Sequence, residues 1–353
     1  MQTEHRCGWT NTFAARLSSA VILWTLVCEP VASAEMDLTR LRRLDDVVET
    51  AIAEGAVPGA VIVVGHVGEI VYERAFGVRS VGTGAAGTSE EMTLDTVFDL
   101  ASLTKVIATT TSVMLLVEDG RLRLGDRVAT YLPGFDNYGK GPIALVHLLT
   151  HTSGLAPDLP LEEVFEGSET ALARTLVQIP VAGVGERFIY SDLNFMLLAR
   201  IVERVSGQTF AQFAQEHLFK PMGMVETWFN PPAALRDRIA PTERCAAFAW
   251  PCGDPEAPML RGQVHDPTAR RMGGVAGHAG LFSTAKDLAR FCAMLLAGGV
   301  HEGVQLLAPL TVARMTTVST PSHLSDKRGL GWDIDSRFSS NRGDLFSVGS
   351  YGH

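Results

Sequence analysis

Ser102-Leu103-Thr104-Lys105 sets a hydroxyl and an amine three positions apart, close enough on one helix face for the amine to reach the hydroxyl. A serine hydroxyl is a weak nucleophile until a neighbouring base takes its proton. Lysine serves as that base only when its pKa is pulled down. Burial disfavours the ammonium, and the positive end of a helix disfavours it further while favouring a developing alkoxide. Four such letters also occur by accident on surface helices. Here the run 98–122 (FDLASLTKVIATTTSVMLLVEDGRL) sets Lys105 among apolar residues, where an unpaired ammonium is costly.

Two further segments follow VFDLASLTK (97–105): LLTHTSGL (148–155) and FIYSDLNFMLLARIVERVSG (188–207). In this order and spacing the chain resembles the serine β-lactamase-related family, which includes class C β-lactamases, DD-carboxypeptidases and family VIII esterases. Residues 261–291 (RGQVHDPTARRMGGVAGHAGLFSTAKDLARF) are similar to a subgroup in which some members are peptidoglycan amidases. The resemblance runs from about Leu38 to the final residue. It implies an α/β (α+β), β-lactamase/transpeptidase-like fold: a five-stranded antiparallel sheet flanked by helices, plus an all-helical region that holds Tyr190.

The resemblance also implies roles. Ser102 attacks a carbonyl and is acylated, Lys105 assists, and Tyr190 is the tyrosine of a Tyr-x-Asn motif that relays protons. The Asn of that motif is Asp192 here, counted with the substrate-binding residues. A carboxylate beside Lys105 favours the ammonium. Either Asp192 shares a proton, or Lys105 is a positive orienter and Tyr190 carries more of the base's work. Asn194 lies two residues past the expected place and should face elsewhere. A third motif, Lys- or His-Thr-Gly, should bind the substrate carboxylate through its cation and complete an oxyanion hole with a backbone N–H. His278-Ala279-Gly280 fits the letters but sits in a Gly-rich loop. His353, after Ser350-Tyr351-Gly352, fits the context and is the expected substrate-binding member. The sequence then stops one residue into the motif, so a longer reading frame is expected, with two more strands and a C-terminal helix.

The elements around these residues are legible from periodicity. Leu38, Leu41, Leu44, Val48, Ala51 and Ile52 fall at helical spacing over 37–54. AVIVVGH and EIVYERAFGV, around Val67-Gly68, read as a hairpin. The nearly uncharged run 102–118 reads as a central helix ended by Asp119-Gly120. GLGWDI and LFSVGSYGH, separated by a polar turn, read as strand, turn, strand.

Composition bounds the rest. The 353 residues are 46% hydrophobic, enough for one large domain, read as 35–353. The formal charge of −9 argues against nucleic acid as a partner. Residues 1–34 read as a signal peptide: Arg6 and Arg16, the apolar stretch 20–27, then Ala32-Ser33-Ala34 as a cleavage site. That stretch is short of the roughly 20 residues that cross a bilayer. Lipidation at Cys28 is disfavoured because Val27 is not small. A periplasmic or secreted monomer without a stable membrane span is the expectation. In an oxidising compartment Cys245 and Cys252 are free to pair or not, and Cys292, within FCAMLL, reads as a core residue.

Other signals are set aside. Residues 134–141 nearly match a P-loop, but Gly141 stands where Ser or Thr is needed. His147 and His151 lack an HExxH context, so packing and capping are favoured over metal ligation. His265-Asp266 lacks a third ligand. No metal or organic cofactor is implied, and no G-x-S-x-G elbow occurs. The function read is acyl transfer to water from an amide or ester: a peptidoglycan-derived peptide, a small ester or a β-lactam. A penicilloyl-binding or ligand-sensing domain is the competing class, motivated by Asp192 and the incomplete third motif.

Overall fold

A computed structural model describes residues 36–82, 88–339, 343 and 346–353. The signal-peptide reading of residues 1–34 lies outside the described residues. The body from Leu38 to His353 is described here. Among the described residues, no helix is long and apolar enough to cross a membrane.

The N-terminal helical run is a short turn, Leu38–Leu41, followed by α1, Arg43–Ala53. Strands β1, Gly59–His66, and β2, Glu69–Ser80, pair antiparallel from Gly59↔Gly77 to His66↔Glu69. Val67 and Gly68 both have positive φ, 50° and 83°, as a two-residue hairpin turn requires. Glu90–Glu91 extends β2 at its far edge.

A second small sheet positions the chemistry. Strand β3, Val97–Asp99, and strand β4, Trp228–Phe229, flank β5, Leu281–Thr284, all antiparallel. Every residue of β5 is buried. From β3 the chain passes Ser102 into a wide π-type turn, Lys105–Thr110, and then α2, Thr111–Glu118, closed by Gly120 at φ 69°. Residues 104–114 are all buried, so this helix is the centre of the molecule, as its missing charges predict. Such π turns inside helices recur at functional sites.

Helix α3, Leu145–Leu149, and helix α4, Asp192–Ser206, pack around α2 through a core that includes Leu116, Leu148, Phe195, Leu197 and Phe219. Helix α5, Pro267–Arg271, precedes β5, and α6, Ala285–Leu296, follows it and packs on β1.

Three sequence expectations are corrected. The five-stranded sheet is not formed among the described residues: the hairpin and the β3–β4–β5 sheet are separate, and Lys327–Arg328 pairs only with Asp333–Asp335. The run 346–353 is not a strand. Gly352 alone bridges to Asp333, Phe346 and Val348 are exposed, and Tyr351 packs on the core edge-on to Trp332. Cys292 is exposed rather than buried. It lies on the face of α6 turned toward the hairpin, where Val61, Val63 and Ile70 line an open groove. Cys245 and Cys252 are joined by a disulfide.

Candidate active site

Ser102 sits at the mouth of α2's helix just after Ala101, whose φ of 45° is left-handed and therefore strained for a residue with a Cβ. Asp99 holds that kink: its carboxylate accepts from Ala101 N at 2.9 Å and from His265 N at 2.7 Å. Burial raises the Asp99 carboxyl, with those backbone donors opposing.

Lys105 is fully buried. Its Nζ lies 2.9 Å from Ser102 Oγ, 2.6 Å from Asp192 Oδ1 and 3.1 Å from the His278 carbonyl. Three acceptors match the three N–H donors of an ammonium. Burial alone pulls Lys105 down, but the Asp192 carboxylate and Tyr190 outweigh it, and the amine is held above its ordinary value. Of the two readings open for Lys105, this contact favours the positive orienter: Asp192, at the first position of α4, favours the ammonium. The same contact occupies Asp192 with the lysine, where the sequence reading gave it to substrate.

Tyr190 reaches the same ammonium from α4's approach. Lys105 Nζ stands 4.8 Å over its ring, and His151 stacks beneath it with centroids 4.5 Å apart. His151 is buried, with Nδ1 accepting from Ser191 N at 3.0 Å, and desolvation keeps it neutral, well below its ordinary value. Asn194 turns to this histidine and to Ser153, whose hydroxyl donates to it at 2.6 Å. His147 caps α3, its Nδ1 accepting from Ala144 N at 3.0 Å.

His353 joins the site through Tyr190: Nε2 lies 3.0 Å from the phenol oxygen, and Nδ1 lies 3.2 Å from the Gly331 carbonyl. Desolvation, then the Lys105 and Arg328 cations, lower its pKa to about 3. His353 is nevertheless solvent-exposed, and the direction of the shift favours the neutral imidazole over the cation expected of the third motif. A second buried cation, in addition to Lys105, is Arg328, which no sequence motif announced, with Nη2 on the Gly331 carbonyl at 2.9 Å and 3.3 Å from His353 Nδ1.

Asp266 and His278 were also passed over, each weighed for a different task. They meet: His278 Nε2 lies 2.9 Å from Asp266 Oδ1, while His265 turns outward to Glu243 at 2.7 Å. No sequence pattern announces that two residues twelve apart close a loop over a lysine from another segment. Ligand atoms of Asp192, Asp266 and His278 lie within 4.8 Å of one another, a set that resembles a metal site. Lys105 and the Asp266–His278 contact already engage those atoms. In the second such group, Glu243, Cys252 and His265, the thiol is spent in the disulfide. Lys140 of the near P-loop is buried and donates to the carbonyls of Leu176 and Gln178 at 2.9 and 2.7 Å, a structural commitment.

A family model described as beta-lactamase matches residues 44–353. The chain is 32% identical over 345 residues to a putative D-alanyl-D-alanine carboxypeptidase of Escherichia coli (strain K12), covering 91% of this chain and 78% of that one. It is 31% identical over 346 residues to an N-acetylmuramyl-L-alanine amidase of Bacillus subtilis (strain 168), covering 91% and 77%. In fold it is similar to the solved structure of a hydrolase with promiscuous acyltransferase activity, with a TM-score of 0.70 at 23% identity over 88% of this chain and 86% of that one.

Proposed function

The chain belongs to the beta-lactamase family, whose members are hydrolytic enzymes, and on that premise we propose that it is an exported, monomeric serine hydrolase acting through an acyl-enzyme on Ser102. The observation that carries this reading is the 2.9 Å contact between Lys105 Nζ and Ser102 Oγ at the start of a buried helix. An ammonium there stabilises the developing alkoxide. With its three donors spent, Tyr190 relays the proton: its phenol oxygen takes the Ser102 proton as its own O–H proton passes to the leaving group, with His353 Nε2 at 3.0 Å orienting the phenol. The Ser102 oxygen bonds to the acyl carbon, the C–N or C–O bond breaks, and the leaving group takes the proton. Water then releases the acyl group by the reverse relay.

Peptidoglycan-derived peptides are the substrate class this reading favours, because the two relatives are named for cleaving bonds of that polymer and because residues 1–34 read as an export signal. A periplasmic or secreted location follows. Small esters and β-lactams share the same acyl chemistry.

The competing reading, a penicilloyl-binding domain, draws on one observation: Asp192 holds Lys105 charged, which starves a lysine-based deacylation. One experiment separates them. Wild type and Ser102→Ala are treated with fluorescent penicillin and a fluorophosphonate, followed by intact mass and by turnover of muropeptides and esters. Turnover and labelling lost together in Ser102→Ala support the enzyme. A stable adduct with no turnover of any substrate supports the binder, and labelling that survives Ser102→Ala sinks both.

A further inference from the structure

We infer that Asp266 and His278 are a buried positioning pair for Lys105, acting through the His278 carbonyl and through their own charges. The inference rests on the Ser102 reading above. His278 is the residue whose backbone oxygen supplies the third acceptor of the Lys105 ammonium, at 3.1 Å. That oxygen is useful only if it is held still. On one side the Gly277 carbonyl accepts from Thr109 Oγ1 at 2.6 Å; on the other, Leu281 N donates to Thr104 Oγ1 at 3.1 Å and the Leu281 carbonyl accepts from Leu100 N at 2.9 Å. Both Thr109 and Thr104 lie on the catalytic helix, so the loop and the lysine form one rigid unit.

The side chain completes the clamp. The His278 ring is fully buried, and Asp266 Oδ1 lies 2.9 Å from its Nε2. Asp266 is itself fixed as the N-cap of α5, accepting from Ala269 N at 2.7 Å. For stability alone, a buried ion pair is often replaceable by apolar residues at no loss. Its presence at this place is better explained by what it does to its neighbours. His278 is faced by Asp266, Asp192, Asp158 and Lys105. Desolvation opposes its charge, yet the carboxylates prevail and raise it, while His278 and the Ala269 amide hold Asp266 at about 2 against its own desolvation. Two cations and two ionised aspartates, Lys105 with Asp192 and His278 with Asp266, thus share one small volume. Each charge of the second pair acts on Lys105, with opposite sign: Asp266 holds its proton on, and His278 pushes it off.

Charge-only variants test this. Asp266→Asn keeps the cap and an acceptor for the ring; His278→Gln keeps a donor for Asp266. The rate of Ser102 labelling by a fluorophosphonate is measured across pH, with melting and circular dichroism as controls, and KM for a turned-over ester is measured alongside. Both variants should slow labelling by about tenfold or more with KM little changed. The alkaline limb, where Lys105 loses its proton, should move to higher pH in His278→Gln, which removes a cation and leaves the Asp266 carboxylate. It should move less in Asp266→Asn, which also strips His278 of the carboxylate that keeps it charged; Asp266→Glu should restore the wild-type profile. Unchanged rates, or an alkaline limb unmoved in His278→Gln, reduce the pair to a structural clip and overturn the inference. Should Asp266→Asn not fold, His278→Gln decides alone: a limb moved upward supports the pair, an unmoved one overturns it. Wild-type protein that never labels at Ser102 sinks the hydrolase reading instead, a distinct outcome.

Discussion

Two forces meet at Lys105, and their balance sets which residue is the base. Desolvation of a fully buried amine favours the neutral form, while a carboxylate at 2.6 Å favours the charged one, and the carboxylate wins. Asp192→Asn removes the winner. The ammonium then loses its proton at lower pH, so the alkaline limb of kcat/KM should shift down, and kcat at neutral pH should fall about tenfold as Lys105 loses its anchor. A rise in kcat in this variant would instead make free-base Lys105 the proton acceptor. Asp158 tests the neighbouring field. Burial, with Asp266 and Asp192 adding to it, lifts its pKa from 3.8 to about 6, so between those values the folded chain keeps a proton that the unfolded chain has released. Stability therefore falls as pH rises through that window, and the cost stays constant above it. Asp158→Asn should raise the urea midpoint at pH 7.5 by about 1–2 kcal/mol equivalent, and by much less at pH 4. Equal gains at both values would mean the carboxyl is not the cause. Ser102, Lys105, Tyr190, Asp192 and His353 were all legible in the letters and do converge. Their protonation was not legible, because it depends on ångström contacts between segments far apart in the chain.

Among the elements, those with a strong period were readable and those that need a distant partner were not. The hairpin follows from β-branched runs around Val67-Gly68, and α2 follows from an apolar run closed by Gly120. The residues of LFSVGSYGH alternate like a strand, but a strand exists only where a neighbour takes its backbone groups, and among the described residues of this run Asp333 does so for Gly352. The π-type turn at Lys105–Thr110 has no letter pattern either; it is fixed by what packs on it. Gly277, in the loop that carries the His278 carbonyl, lies close against α4. A Cβ there would lie 2.0 Å from the Phe195 carbonyl and 2.7 Å from Ala199 Cβ, so α4 and the loop that carries the His278 carbonyl would have to part. Gly277→Ala should cost about 2–3 kcal/mol in urea unfolding. It should also slow labelling of Ser102 in the molecules that remain folded, because Thr109 loses its grip on the loop. Unchanged stability would show that the two elements yield without strain and that the loop is not the rigid support claimed for it.

At the scale of the whole molecule, one covalent link lies within reach of the chemistry. The disulfide between Cys245 and Cys252 folds the intervening loop over α5. Arg270 of α5 donates to the carbonyls of Ala247 at 2.9 Å and Ala249 at 3.2 Å inside that loop, and to His265 at 2.6 Å outside it. Arg271 reaches the Phe248 carbonyl at 2.8 Å and the Leu161 carbonyl at 3.0 Å. The loop therefore braces the helix whose N-cap is Asp266, and through it the wall beside Lys105. A link across seven positions should stabilise the fold by about 2 kcal/mol in the chain-entropy account, and it persists only where thiols are oxidised, as the proposed export requires. Dithiothreitol, or paired Cys245→Ser and Cys252→Ser changes, should lower the unfolding midpoint by that amount. The discriminating readout is the labelling rate of Ser102 well below the midpoint, per folded molecule. A brace that acts on α5 predicts a slower rate there, recovered when the disulfide re-forms. A staple with only local effect predicts the lower midpoint with the rate intact, and that result would detach the loop from the site.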